Sequence, residues 1–186
     1  MKALDTIGPH WWRWLRLAMW SFAALVLILP LVLKAPWSLF DFIAMGIMLA
    51  AACGTIELAL RASGNAAYRL GAIVAAGAGF LLLWVNLAVG IIGSEDNPLN
   101  LLYAAVLAVA VTGALLASFK PGGLSSAMFA TAAAQVAVTI LALAWGWGAW
   151  EPPGAAGILA LNLVFAALWA LSGGLFRRAS LTHGTP

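Results

Sequence analysis

The chain has 186 residues, of which 65% are hydrophobic and only 8% carry a charge, and its mean hydropathy is +1.03. A soluble domain carries about 25% charged residues, so this chain lacks the polar residues that would cover a water-exposed surface. Its apolar runs are long and do not alternate with polar residues, which excludes a transmembrane barrel. The composition therefore predicts an all-α, polytopic transmembrane helix bundle that forms a single domain over residues 1–186.

Charge, cysteine and histidine usage exclude several kinds of site. The net charge of +3 does not indicate nucleic-acid binding, because the basic residues fall at the ends of apolar runs, where they orient membrane helices. Cys53 is the single cysteine and has no partner for a disulfide within the chain. His10 and His183 lie at opposite ends of the chain, so we expect no haem, no metal site and no other cofactor.

Six segments are apolar enough to cross a membrane, which takes about 20 residues per helix. Pro, Gly or charged residues mark each boundary, as is typical of helix ends. In chain order, the predicted spans are residues 14–33, 37–60, 68–92, 99–119, 125–147 and 154–176.

The positive charges predict how these six spans are threaded. With the N-terminus in the cytoplasm, eight of the nine basic residues fall on the inner side and only Lys34 falls on the outer side. Basic residues concentrate on the cytoplasmic side of membrane proteins. We therefore expect both termini to be cytoplasmic.

Three stretches resemble an uncharacterised family of small, multi-helix inner-membrane proteins of proteobacteria. They are WSLFDF at residues 37–42, WVNLAVGIIGSEDNP at residues 84–98 and FATAAAQ at residues 129–135. The resemblance implies a multi-pass protein of the bacterial inner (cytoplasmic) membrane. It implies no mechanism, because the family has no assigned activity.

Polar side chains gather toward the predicted outer ends of the spans. Two acids and two amides cap the turn between the third and fourth spans, and further polar residues, among them Gln135, lie inside spans. If the helices turn these residues inward, they line an outward-facing pocket suited to a cation, an amine or a polar headgroup. The candidate ligand-binding residues are Asp41, Trp84, Asn86, Glu95, Asp96, Asn97, Asn100 and Asn162.

The same residues also have a structural interpretation, which the sequence favours. Asp96, Asn97 and Pro98 form a pattern typical of a helix start, where side-chain oxygens accept hydrogen bonds from unpaired backbone N–H groups. Asp41 fits the same pattern after Ser38. Amides inside membrane spans commonly bond to neighbouring helices, a contribution of about 0.6–2 kcal/mol each. Trp84 is then expected to pack in the core.

The second span carries two further patterns. Glu57 and Arg61 are spaced i, i+4 in the favourable order, which predicts a structural ion pair, with a proton relay as the alternative. Gly46, Ala50 and Gly54 recur at every fourth position and predict a face that packs closely against another helix, from the same chain or from a second copy.

The sequence contains no phosphate-binding loop, no nucleophile paired with a histidine base and no zinc-protease helix. We therefore expect a non-enzymatic membrane protein, an accessory, assembly or scaffold subunit. Its expected partners are the lipid bilayer and either another membrane protein or a second copy of itself. The alternative is a small transporter or binding protein that uses the outward-facing acidic and amide pocket.

Overall fold

The computed structural model describes residues 11–182, except for the side chains of residues 11–13 and 15. This part of the chain is all helical and contains no strand, which confirms the predicted fold class. A 3₁₀ turn, Pro98–Asn100, precedes the fourth helix. The helices are α1 (Trp11–Val32), α2 (Leu39–Ala62), α3 (Ala66–Ala88), α4 (Leu101–Leu116), α5 (Pro121–Ala144) and α6 (Gly154–Thr182).

Five of these helices, α2 to α6, are long and apolar enough to cross a membrane, α4 being counted together with its 3₁₀ turn. The apolar part of α1, Arg16–Val32, is shorter. The helices therefore have the lengths and composition of a membrane-spanning bundle. The orientation of the two termini stays a prediction.

Several helix ends differ by a few residues from the predicted spans, among them the ends of α3 and α6. Helix α3 ends at Ala88, although the apolar run continues to Ile92. It ends there because Val85 O accepts hydrogen bonds from the N–H groups of both Val89 (3.0 Å) and Gly90 (3.1 Å), and Gly90 then takes a φ of 71°. At the other end of the chain, α6 continues beyond Phe176 as far as Thr182.

The contacts divide the chain into two compact units, of which the first is Met1–Leu58. Within it, Glu57 of α2 joins α1: its carboxylate accepts a short hydrogen bond from Arg16 and a bond of 3.0 Å from Trp20 Nε1. A Cβ placed on Gly46 would lie 3.8 Å from Leu27 Cδ2, whereas one placed on Gly54 would meet nothing within 4 Å.

The second unit is Ala59–Pro186 and contains α3 to α6. Here α6 packs against both α3 and α5, and α4 packs mainly against α5, with far fewer contacts between α3 and α4. The core is a continuous apolar cluster in which the largest fully buried apolar side chains are Leu82, Ile91, Ile92, Tyr103, Ile158 and Trp169.

Helices α4 and α5 approach each other unusually closely at two places. A Cβ on Gly113 of α4 would lie 2.6 Å from Ala127 Cβ, and a Cβ on Gly123 of α5 would lie 2.6 Å from Ala117 Cβ. Each helix thus offers a Gly and, four residues later, an Ala, and each Gly faces the Ala of its neighbour. Small residues at this spacing allow helix backbones to pack tightly in a membrane.

Candidate functional site

Asn100 fixes the conformation of the segment between α3 and α4, residues 89–97, which we call the α3–α4 turn. Its Oδ1 accepts hydrogen bonds from the N–H groups of Ile91 (3.1 Å) and Ile92 (2.9 Å). Its Nδ2 donates to Ser94 O at 2.8 Å. One amide therefore satisfies three backbone groups that a helix would otherwise have paired.

Two glycines allow this turn to fold back onto the bundle. Gly90 and Gly93 have φ values of 71° and 69°, a region that other residues rarely adopt. A Cβ on Gly90 would lie 2.5 Å from Ser94 O, whereas one on Gly93 would lie 2.5 Å from Glu151 Oε2. Because the chain turns here, Ile91 and Ile92 are completely buried, and the stretch from Ser94 to Asp96 is exposed.

A pocket of about 390 Å³ lies between the α3–α4 turn and the adjoining parts of α3 and α4. This volume falls within the range of about 300–1,000 Å³ that is common for small-molecule sites. It brings together five of the eight predicted ligand-binding residues: Asn86, Glu95, Asp96, Asn97 and Asn100. The other lining residues are Leu83, Leu87, Pro98, Leu101, Tyr103, Ala104 and Leu107.

The charge of the pocket is negative. Glu95 and Asp96 are exposed, and neither carboxylate forms a hydrogen bond or an ion pair with the described part of the chain. No Lys, Arg or His is among the described residues that line the pocket. A positively charged group in the pocket would therefore meet two unpaired carboxylates without a competing cation.

Asn86 adds an unused hydrogen-bond acceptor. Its Nδ2 donates to Leu82 O of its own helix at 2.7 Å. Its Oδ1 is buried and accepts no hydrogen bond within the described part of the chain. A buried polar atom without a partner lowers stability by about 1–3 kcal/mol, so a hydrogen-bond donor that reached this oxygen would relieve an unfavourable state.

The rest of the pocket lining is mostly apolar. Leu83 and Leu87 come from α3, and Leu101, Ala104 and Leu107 come from α4. Leu87 and Leu101 are 55% and 72% exposed. Further along the helices, Leu107 Cδ2 lies 3.7 Å from the place that a Cβ on Gly79 would take, so α3 and α4 meet there. The apolar lining thus forms a groove between two helices, which approach each other at Gly79.

Asn162 does not line the pocket. It is 1% exposed, and its Nδ2 donates to Tyr103 Oη (3.0 Å) and to Ile158 O (2.8 Å). Its Oδ1 accepts from Gln135 Nε2 at 2.7 Å. The three side chains, which we call the buried polar chain, join α4, α5 and α6, so Asn162 and Gln135 have the helix-bonding role that the structural interpretation predicted.

Two other predicted ligand-binding residues, Trp84 and Asp41, are not among the residues that line the pocket. Trp84 is 43% exposed, so the expectation that it packs in the core is wrong. Asp41 belongs to the first unit, where its Oδ2 accepts from Ser38 N (2.7 Å) and Ser38 Oγ (2.8 Å), a capping arrangement at the start of α2.

The bonded partners of Glu57 described above are Arg16 and Trp20, and its pairing with Arg61 stays a prediction.

Sequence reasoning missed Tyr103, which lines the pocket and also ends the buried polar chain. The available signal was its position three residues after Asn100, which places both residues on one side of the helix. It also missed Glu151, whose carboxylate lies beside Gly93 of the neighbouring turn. No local pattern in the sequence connects Glu151 to Gly93.

The polar lining of this pocket suits a positively charged group better than an anion. Its polar lining consists of carboxylates, amides and one phenol, with no thiol or imidazole among the described residues. The described residues contain no group of three His, Cys, Asp or Glu side chains that could hold a metal ion. Comparisons with protein-family profiles, with curated proteins and with solved structures find no match to this chain.

Proposed function

We propose that the protein is a non-enzymatic integral membrane protein that binds a small cation or amine in the pocket between α3 and α4. The observation that carries the proposal is that one cavity is lined by Glu95 and Asp96, whose carboxylates are unpaired, and by Asn86, whose buried Oδ1 has no partner in the described part of the chain. All three are hydrogen-bond acceptors, so the pocket favours a ligand that carries donors and a positive charge.

An ammonium group meets these requirements better than a bare metal ion. It offers up to three N–H donors and a charge, and it can bond a carboxylate and an amide oxygen at the same time. A hard cation such as Ca²⁺ takes six to eight oxygen ligands, and the two exposed carboxylates and one buried amide oxygen supply too few. The ligand class is therefore an amine.

The location of the protein belongs to the same proposal. The chain is a multi-pass protein of the bacterial inner membrane and a member of the small proteobacterial family that it resembles. Both termini lie in the cytoplasm, which places the α3–α4 turn and its pocket on the outer side. A ligand would then enter from the outside.

A thermal unfolding assay of the purified protein in a neutral detergent tests the proposal. We expect methylamine or butylamine to raise the melting temperature in a saturable way, because a ligand that binds only the folded state stabilises it. The double variant Glu95→Gln/Asp96→Asn should lose this response. Glu151→Gln is the matched control, because Glu151 is an exposed acid of the neighbouring turn that does not line the pocket, and it should respond like the unchanged protein.

An accessory, assembly or scaffold subunit is the second candidate function. The observation that favours it is that several candidate ligand-binding side chains serve the fold: Asn97 Oδ1 accepts from Leu99 N at 3.0 Å, Asn100 holds the turn, and Asn162 bonds three helices. Affinity purification from native membranes followed by mass spectrometry tests this role. A stoichiometric membrane partner together with no response to any amine would establish it over the binding protein.

The threading makes a separate prediction. Alkaline phosphatase is active only after export, so a fusion after residue 186 should be inactive and a fusion after Asn97 should be active. An active fusion at the C-terminus would contradict both the six-span threading and the outer position of the pocket.

A further inference from the structure

The polar and apolar parts of the pocket are directly adjacent. Asn86 is followed by Leu87 on α3, and Asn100 is followed by Leu101 on α4, all four of them lining residues. From Asn100 to Leu107 the lining extends about 10 Å along α4, at 1.5 Å per residue. A ligand that filled the whole pocket would therefore carry its charge next to an apolar part about 10 Å long.

The apolar groove belongs to helices that are long enough to cross a membrane, so its open side faces hydrocarbon rather than water. The large exposure of Leu87 and Leu101, noted above, shows that the bundle itself does not cover this side. A small hydrophilic amine would occupy the acidic end only. The groove next to it would then be filled by an alkyl chain from the bilayer.

The polar end is unsuited to a phosphate group. Two of its three amide NH₂ groups already donate to carbonyls, Asn86 Nδ2 to Leu82 O and Asn100 Nδ2 to Ser94 O. The described lining offers no Lys or Arg, and the two carboxylates repel an anion. In an amine-bearing phospholipid, the phosphate lies between the ammonium and the acyl chains. If such a lipid occupied this pocket, its phosphate would lie among the carboxylate and amide oxygens of the polar end.

We infer that the ligand of this pocket is a lipophilic amine, an alkyl chain that carries an ammonium group directly and has no phosphate. The ammonium bonds the acidic end formed by Glu95, Asp96 and Asn86, and the chain lies in the groove between α3 and α4. This inference rests on the proposed function and adds the chain to it. Because such a ligand dissolves in the bilayer, it reaches the groove sideways through the lipid.

The test compares four probes in the thermal unfolding assay: dodecylamine, butylamine, dodecanol and dodecyl phosphate. The alkyl chain concentrates an amphiphile in the micelle beside the groove, because each added CH₂ favours its transfer out of water. Dodecylamine should therefore reach half-saturation at a total concentration roughly tenfold or more below that of butylamine. Dodecanol and dodecyl phosphate should give no saturable stabilisation, and Glu95→Gln/Asp96→Asn should abolish the response to dodecylamine.

A matched pair of variants on α4 separates binding in the groove from simple partition into the detergent. Ala104 is exposed and lines the pocket, whereas its neighbour Ala105 is exposed and does not. Ala104→Phe fills the groove and should weaken the response to dodecylamine about tenfold more than it weakens the response to butylamine. Ala105→Phe should leave both responses unchanged.

The outcomes distinguish the two proposals. If butylamine and dodecylamine act alike and Ala104→Phe has no effect, the lipophilic ligand is excluded and the amine site stands. If dodecanol or dodecyl phosphate stabilises as well as dodecylamine, the ammonium is not what the site recognises, and the inference fails. If no amine of either length has an effect, both the inference and the proposed function fail.

Discussion

Asn86 and Asn162 are both asparagines inside long apolar helices, yet the structure gives them opposite surroundings. Asn162 uses both ends of its amide, receiving a bond from Gln135 and donating to Tyr103, and so joins three helices. Asn86 donates only to its own helix at Leu82 O, and its Oδ1 has no partner in the described part of the chain. The difference lies in their neighbours, since α6 is packed between α3 and α5, whereas α3 and α4 separate beside Asn86.

An intramembrane amide therefore marks either a joint between helices or a place where something binds, and its neighbours decide which. Replacing an amide that joins helices should lower the stability of the protein and leave ligand binding unchanged. Replacing an amide that contacts a ligand should weaken binding and leave the stability unchanged. The variants below test this division, beginning with the largest expected effect.

Asn162→Leu should destabilise the protein most, by about 2–3 kcal/mol, because it leaves Gln135 Nε2 and Tyr103 Oη buried without their partner. The free energy of unfolding can be measured by titration with a denaturing detergent. The double variant Asn162→Leu/Gln135→Leu should lose less than the sum of the two single losses, because it removes two bonded partners together. A loss below about 0.5 kcal/mol for the single variant would mean that the buried polar chain is not a joint.

Gly90→Ala should come next and tests whether the backbone of the turn shapes the pocket. Any residue but Gly at a positive φ loses about 1–2 kcal/mol, and here the new Cβ would also approach the backbone oxygen of Ser94. Gly93→Ala should be milder, since its Cβ would meet the side-chain ends of Glu151 and Asn97 rather than backbone atoms. Gly146→Ala is the control for strain alone, because Gly146 has a φ of 67° and nothing within 4 Å. Equal losses at all three glycines would show that the close approach to Ser94 has no role.

Asn86→Leu should have the smallest effect on stability, below about 1 kcal/mol, because it removes one bond within a helix together with one unpartnered oxygen. Its effect should appear in the amine titration instead, as a response weakened about tenfold, the equivalent of one lost hydrogen bond. A stability loss as large as that of Asn162→Leu, with unchanged amine binding, would place Asn86 among the joints and contradict the division.

The sequence predicted the elements of this fold well because long apolar runs have few alternatives to helices in a membrane. It also predicted part of the pocket lining, since five of the eight candidate residues line one pocket. Local rules were enough for the caps, where Asn97 bonds Leu99 and Asp41 bonds Ser38. In both caps the interacting groups lie only two or three residues apart.

The remaining features depend on contacts between distant parts of the chain. The early end of α3 requires Asn100 to bond the N–H groups of Ile91 and Ile92, and an apolar run ending in Gly-Ile-Ile-Gly gives no sign of this. The partner of Asn162, Tyr103, lies 59 residues away. Trp84 was misplaced because a tryptophan suits a core and a lipid-facing surface equally well, and only packing shows which it occupies.

The paired glycines and alanines of α4 and α5 limit how this protein can vary. Since Gly113 faces Ala127 and Gly123 faces Ala117 at distances that leave no room for a methyl group, neither glycine can accept a side chain while its alanine partner stays the same. Enlarging either glycine forces the two helices apart. In a library randomised at these positions, folded variants should keep the summed size of each pair, and Gly113→Ala should survive only beside Ala127→Gly.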